Sequence, residues 1–165
     1  MTAARVVLWR HGETDWNATG RYQGQADVEL NVRGVQQAQA AAPLIAALKP
    51  SRIVSSDLSR ARTTAAELGA LTGLTVQVEP RLQEINVGDW AGLTNQQVFA
   101  DHPEFAEALH AGRDARRSTT GETGAEAGAR VATALLDIAE STPGGQTAVA
   151  VGHGFAMRVA AVFLL

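Results

Sequence analysis

Apolar residues along this chain fall into two patterns. Short unbroken runs, Val6-Val7-Leu8-Trp9, Ile53-Val54 and Val149-Ala150-Val151, are rich in β-branched side chains and show no polar alternation. That is the pattern of strands buried on both faces of a parallel sheet. Between them, apolar positions recur at helical spacing. Asn31 suits an N-cap, and Val35, Ala38, Ala42, Leu44, Ile45 and Leu48 follow it before Pro50. Leu58 to Leu71 reads as a second helix closed by Gly73, Gly124 to Glu140 as an alanine-rich third, and Phe155 to Leu165 as the last. Thr75-Val76-Gln77-Val78 alternates weakly and predicts an edge strand, and Gln96 to Ala111 predicts two helical pieces joined near Pro103. Asp15 to Asp27 and Arg81 to Thr94 read as loops, and Gly112 to Gly121 as a mobile one.

Strands and helices that alternate in this way predict an α/β fold, three-layer α/β/α, with a mostly parallel central sheet. No repeat or linker divides the 165 residues, so a single domain over 1–165 is expected. A chain of this length buries roughly 70% of its unfolded surface without a disulfide or metal staple.

Charge and composition narrow the function. The formal net charge is −3, and all of the fourteen cationic side chains but Lys49 are arginine. A mildly acidic chain argues against a nucleic-acid partner, although clustered arginines can still hold one phosphate. Cysteine is absent, which excludes thiolate catalysis, thiol redox chemistry and cysteine-based zinc sites, and suits a cytoplasmic protein. Neither a signal-like leader nor a stretch of membrane-span length is present, so no membrane partner is expected.

The chemistry lies at strand ends. Arg10-His11-Gly12-Glu13-Thr14 follows the first apolar run, and Gly152-His153-Gly154 follows the last. Open α/β sheets bind ligands at the carboxyl edge of their strands. An arginine beside a histidine, next to a glycine that lets backbone approach closely, suits an anion there.

These residues, taken together, resemble the histidine phosphatase superfamily, also called phosphoglycerate mutase-like. The resemblance runs from about Val6 to the last residue and rests on five pieces in order. They are Arg10-His11-Gly12-Glu13-Thr14 with Asn17, Ser55-Ser56-Asp57-Leu58-Ser59-Arg60-Ala61, Leu82-Gln83-Glu84 leading into Gly88-Asp89-Trp90-Ala91-Gly92-Leu93, Gly121-Glu122-Thr123, and Gly152-His153-Gly154. Such a resemblance implies a phosphatase of the bacterial branch that needs no metal and no cofactor and acts on a small phosphorylated metabolite. It also implies further chain beyond Leu165, including another strand, so the sequence reads as a truncated form. The apolar run Val159 to Leu165 would then lack part of its packing, and a homodimer is one way to cover it.

By this resemblance His11 is the nucleophile that becomes phosphorylated, and Arg10 and Arg60 neutralise the phosphate with planar guanidinium forks. His153 stabilises the transferring phosphoryl oxygens, and Glu84 donates a proton to the leaving oxygen and then activates water. Glu13 and Asp89 rival Glu84 on chemistry alone. Asn17, Gln23, Gly24 and Gly154 resemble positions that line the phosphate pocket. His11, His153 and Glu84 could also be drawn as a two-histidine, one-carboxylate metal site, but the adjacent arginines would repel a cation. His102 and His110 read as surface residues, and Trp9, Trp16 and Trp90 as packing. Two other functions stay open: a cofactor-dependent phosphoglycerate mutase, which the short insert Gln96 to Gly121 disfavours, and a non-catalytic phospholigand-binding module.

Overall fold

The computed structural model describes residues 4–165. Four strands, β1 (Arg5–Arg10), β2 (Arg52–Ser55), β3 (Val76–Val78) and β4 (Thr147–Gly152), form one sheet in the order β1-β4-β2-β3, and every pairing is parallel. Every residue of β4 is buried, as its unbroken apolar run requires of a central strand. The sheet edge at β3 matches the weak alternation of its sequence.

Successive side chains of a strand point to opposite faces, and this pleat divides the core in two. Val149 and Val151 pack with Ile53 and Trp9 against α2 (Val32–Ala46) and α3 (Ser59–Thr72). Ala148 and Ala150 pack with Val54 against α6 (Gly124–Glu140) and α7 (Gly154–Leu164). The sheet is thus covered on both faces, as the order of elements predicts. A third cluster, Ile85, Val87, Trp90, Val98 and Phe105, joins the segment after β3 to α4 (Asn95–Asp101) and α5 (Pro103–His110). These two short helices break at His102, just before Pro103, as expected of the residue preceding a proline. The His102 side chain is 41% exposed, in line with its reading as a surface residue, and its ring also lies tilted against Trp90 with centroids 5.1 Å apart.

Helix ends follow local chemistry. The Asn31 side chain accepts the Gly34 N–H to start α2, and Gly73 closes α3 at φ +71°, a left-handed conformation that suits glycine. Thr123 and Glu126 form a reciprocal capping box at the start of α6. Three details differ from the sequence reading. α2 ends at Ala46, short of Pro50, and the loop from Asp15 opens with a single helical turn, α1 (Asp15–Ala18), held by a capping box between Thr14 and Asn17. The segment from Gly112 to Gly121, read as mobile, is fastened at several points. Asp114 accepts the N–H groups of Gly124 and Ala125 at 2.8 Å each, Arg117 is buried on Asp114 at 2.9 Å, and Arg116 pairs with Glu126.

Candidate active site

Parallel pairing brings the two histidines together. Arg10 lies in register with Gly152 at the carboxyl edge, and the His11 N–H continues the ladder to the Gly152 carbonyl at 3.0 Å. His11 and His153 therefore leave adjacent strands side by side, with ring centroids 5.0 Å apart. From the other neighbour of β4, the Ser56 N–H bonds the Val151 carbonyl at 2.9 Å, so β2 delivers Ser56 to the same edge.

His11 is buried, and its Nδ1 contacts the carbonyl of Gly12 at 2.6 Å. A carbonyl only accepts, so Nδ1 carries the proton and Nε2 keeps a free lone pair. Burial pushes the ring down to a pKa of about 4, opposed by the Gly12 hydrogen bond and reinforced by the charges of Arg60 and Arg10. His11 is thus neutral at physiological pH, as a nucleophile must be. His153 is fully buried, and burial, Arg60 and His11 hold its pKa well below the usual range.

Arg60 sits in the first turn of α3 and is 1% exposed. Its Nη1 and Nη2 donate to the carbonyls of Ala26 and Gly24, each at 2.7 Å, while Nε finds no partner. Burial lowers its pKa to about 10 against the charges of Glu84 and Asp27, so it stays a cation at neutral pH. An arginine anchored by backbone carbonyls, with an unmatched buried N–H, is a rigid anion receptor. Gly24 reaches it by adopting φ +52°, where a side chain would also strike Val87. Arg10 crosses the start of α7, and a methyl on Gly154 would crowd its guanidinium.

Asn17, Gln23, Gly24 and Glu84 surround one space, which Gly154 and the fully buried His153 do not line. The Asn17 side-chain oxygen accepts from the Thr14 N–H at 3.0 Å, and buried Gln23 accepts from the Thr14 hydroxyl at 2.8 Å. Arg10, His11, Asn17, Gln23, Gly24, Arg60 and Glu84 all line one cavity of about 330 Å³. Its other walls include Tyr22, Val87, Phe105, Leu109 and Phe155, with Arg21 and Arg117 among them. Glu13 and Asp89, the rivals of Glu84, do not line it. Glu84 uses Oε1 to accept the N–H groups of Ile85 at 2.9 Å and Ala156 at 2.8 Å, and Oε2 to accept that of Phe155 at 3.2 Å. The less engaged Oε2 is the oxygen better able to carry a proton. Among the described residues, no three His, Asp or Glu side chains form a group that could hold a metal ion.

Several contributors escaped the sequence reading. Arg130, on α6, donates to the carbonyls of Arg81, Gln83 and Glu84 at 2.8, 3.0 and 3.2 Å, and pairs with Glu122 at 2.8 Å. It staples down the segment that carries Glu84. Glu122 belongs to a recognised motif, but nothing in the spacing ties Arg130 to a loop some fifty residues earlier in the chain. Ser56 lies within a recognised motif as well, yet only the fold sets its hydroxyl 2.9 Å from His153 Nε2.

Comparison with known proteins agrees with this geometry. A family model described as histidine phosphatase superfamily (branch 1) matches residues 6–165. A glucosyl-3-phosphoglycerate phosphatase of Mycobacterium tuberculosis is 52% identical over 103 residues, which are 62% of this chain and 46% of that protein. The chain thus spans about half the length of this curated relative. A probable phosphoglycerate mutase GpmB of Yersinia pestis is 35% identical over 93% of this chain and 71% of its own length. Among solved structures, a mycobacterial glucosyl-3-phosphoglycerate phosphatase complexed with VO3 superposes with a TM-score of 0.89 at 41% identity, covering 98% of this chain and 81% of that one. Among the described residues, no helix is long and apolar enough to cross a membrane.

Proposed function

The chain belongs to the histidine phosphatase superfamily, branch 1, and from that premise we propose that it hydrolyses a small phosphomonoester through a phosphohistidine on His11, without a metal. The observation that carries this reading is the His11 ring itself. Its Nδ1 is committed to the Gly12 carbonyl, its Nε2 is bare, and its neutral form is enforced by burial beside two arginines.

Nε2 attacks phosphorus in line with the ester oxygen. The N–P bond forms as the P–O bond to the alcohol breaks, and a proton from Glu84 goes to the departing oxygen. The equatorial oxygens lie against Arg10, Arg60 and His153, with Asn17 and Gln23 at the margin, so charge is met by donors already in place. A water, losing its proton to Glu84, then attacks phosphorus and releases phosphate with His11 restored. The alcohol leaves along the wall of Tyr22, Val87, Phe105 and Phe155, in a cavity of about 330 Å³ that is wide enough for a metabolite. Glucosyl-3-phosphoglycerate is the first substrate to assay, because the mycobacterial relatives bear its name.

The test is hydrolysis of an aryl phosphate in excess chelator by the wild type and His11→Ala, with trapping of an acid-labile phosphoryl group on the protein. Turnover and trapping by the wild type alone support the reading. Loss of wild-type turnover in chelator removes its metal-independent part, and trapping on His11→Ala removes the nucleophile. The similarity to GpmB supplies a second reading, a mutase. Conversion between phosphoglycerate isomers faster than phosphate release would select it.

A further inference from the structure

We propose that Ser56 is a positioning residue that donates its hydroxyl proton to His153 Nε2 and so fixes the ring with its own proton on Nδ1, the nitrogen left to bond a phosphoryl oxygen. The argument is a proton count in a closed space. Ser56 and His153 are both fully buried, and their side chains meet at 2.9 Å. The backbone of Ser56 is already paired, its N–H with Val151 at 2.9 Å and its carbonyl with the Ser55 hydroxyl at 2.9 Å. Its Oγ accepts the Leu58 N–H at 3.3 Å. The hydroxyl hydrogen then needs an acceptor, and among the described residues His153 Nε2 is the one it meets. A neutral imidazole whose Nε2 accepts must carry its hydrogen on Nδ1.

His153 Nδ1 has no partner, and neither does Arg60 Nε. Two buried N–H donors without acceptors, in residues that surround His11, are what a site awaiting an anion leaves behind. The opposite tautomer would strand the Ser56 proton and turn a bare lone pair toward the phosphate. Ser56 thereby joins the site without touching substrate. This catalytic role rests on the phosphatase reading above, whereas the tautomer does not.

The experiment is a long-range ¹H–¹⁵N spectrum of the full chain labelled at histidine, with His153 assigned by its loss in His153→Asn. The wild type should show His153 protonated at Nδ1 and bare at Nε2, and inorganic phosphate should move the Nδ1–H signal. In Ser56→Ala the two tautomers should mix and kcat on an aryl phosphate should fall about two- to tenfold, in proportion to the share of the ring that loses its Nδ1–H. Ser56→Thr, which keeps the hydroxyl, should restore both. A wild-type ring protonated at Nε2 overturns the proposal without any variant, and so does a Ser56→Ala protein that keeps the wild-type tautomer and kcat. If the tautomer behaves as expected but no protein turns over any phosphoester, the phosphatase reading fails and the role of Ser56 in setting the tautomer stands.

Discussion

Oε1 of Glu84 accepts the backbone N–H of Ala156 at 2.8 Å, so the carboxylate proposed to move the proton also satisfies the first turn of the helix that follows His153. The two duties can be separated by substitution. Glu84→Gln keeps a carbonyl oxygen for Ile85 and Ala156 but turns an NH2 toward the Phe155 N–H, so it should lower the urea midpoint slightly and by less than Glu84→Ala. It should lower kcat on an alkyl phosphate by about 10²- to 10⁴-fold, the span of general acid–base catalysis. An aryl phosphate, whose leaving oxygen is less basic, should lose less. Glu84→Ala should lose activity and, with the helix N-terminus unsatisfied, about 1 kcal/mol of stability as well. Equal losses on the two substrates would count against Glu84 as the acid.

Stability should fall between pH 7 and pH 5 in a way set by the buried histidines. His11 titrates near 4 in the native protein and near 6.5 when unfolded. Between these values the unfolded chain binds more protons, so stability is fully present above pH 6.5 and is lost as pH falls toward 4. For His11 the loss over pH 7 to 5 is about 2 kcal/mol, and His153 acts in the same direction. Asp27 and Glu79, held low by the Ser59 N–H and by Arg81, act below about pH 4.5 and stay out of this window. Urea midpoints at pH 7 and pH 5 in phosphate-free buffer check this, and His11→Ala should show a flatter dependence. Parallel behaviour of the two proteins would refute it.

Much of this arrangement can be read from the sequence because it depends on strong local patterns. The all-apolar run at β4 could only be a strand covered on both faces, and parallel strands put the residues that follow them at one edge, which is why His11 and His153 could be paired across some 140 residues. Asn31, Gly73, Pro103 and Thr123 mark helix ends through chemistry confined to a few neighbours. What stayed hidden depends on contacts between distant segments. The Glu84 acceptors face amides of α7, and the depressed pKa of His11 comes first from burial, which no spacing reports, and only then from the arginines that do stand in the motif. The segment from Gly112 to Gly121 looks mobile by composition, yet Asp114 and Arg117 fasten it to α6 and to the cavity wall.

Arg130 should matter to Glu84 although it lines no part of the cavity. Arg130→Met would leave the Arg81 and Gln83 carbonyls without that donor and the Glu122 carboxylate with only the Asn86 N–H, while the Glu84 carbonyl keeps Gln25, at a cost of about 2 kcal/mol. Because the released carbonyls belong to residues 81–83, kcat should fall roughly tenfold even where the protein remains folded. Glu122→Gln combined with Arg130→Met removes the stranded charge and should recover part of the stability but little of the activity. Urea unfolding and kcat measured on the three proteins decide this. If activity tracked stability throughout, Arg130 would be a structural residue only.

Gly34 supplies a case where helix propensity and packing predict opposite signs. It occupies the third position of α2, and replacing a helix glycine by alanine ordinarily gains about 1 kcal/mol. Here a methyl group would overlap the backbone of Glu13, and one on Gly12 would overlap the Gly34 carbonyl. The two segments meet backbone to backbone, tied by the Asn31 N–H on the Glu13 carbonyl at 3.0 Å, so neither can rotate a side chain out of the way. Overpacking against rigid backbone costs about 1–3 kcal/mol. Gly34→Ala should therefore lower the urea midpoint instead of raising it. The displaced Gly12 carbonyl is the group that holds His11 Nδ1, so affinity for inorganic phosphate should weaken in the same variant. A Gly34→Ala protein that is more stable and binds phosphate as tightly as the wild type would show that the first turn of α2 does not hold the nucleophile loop in place.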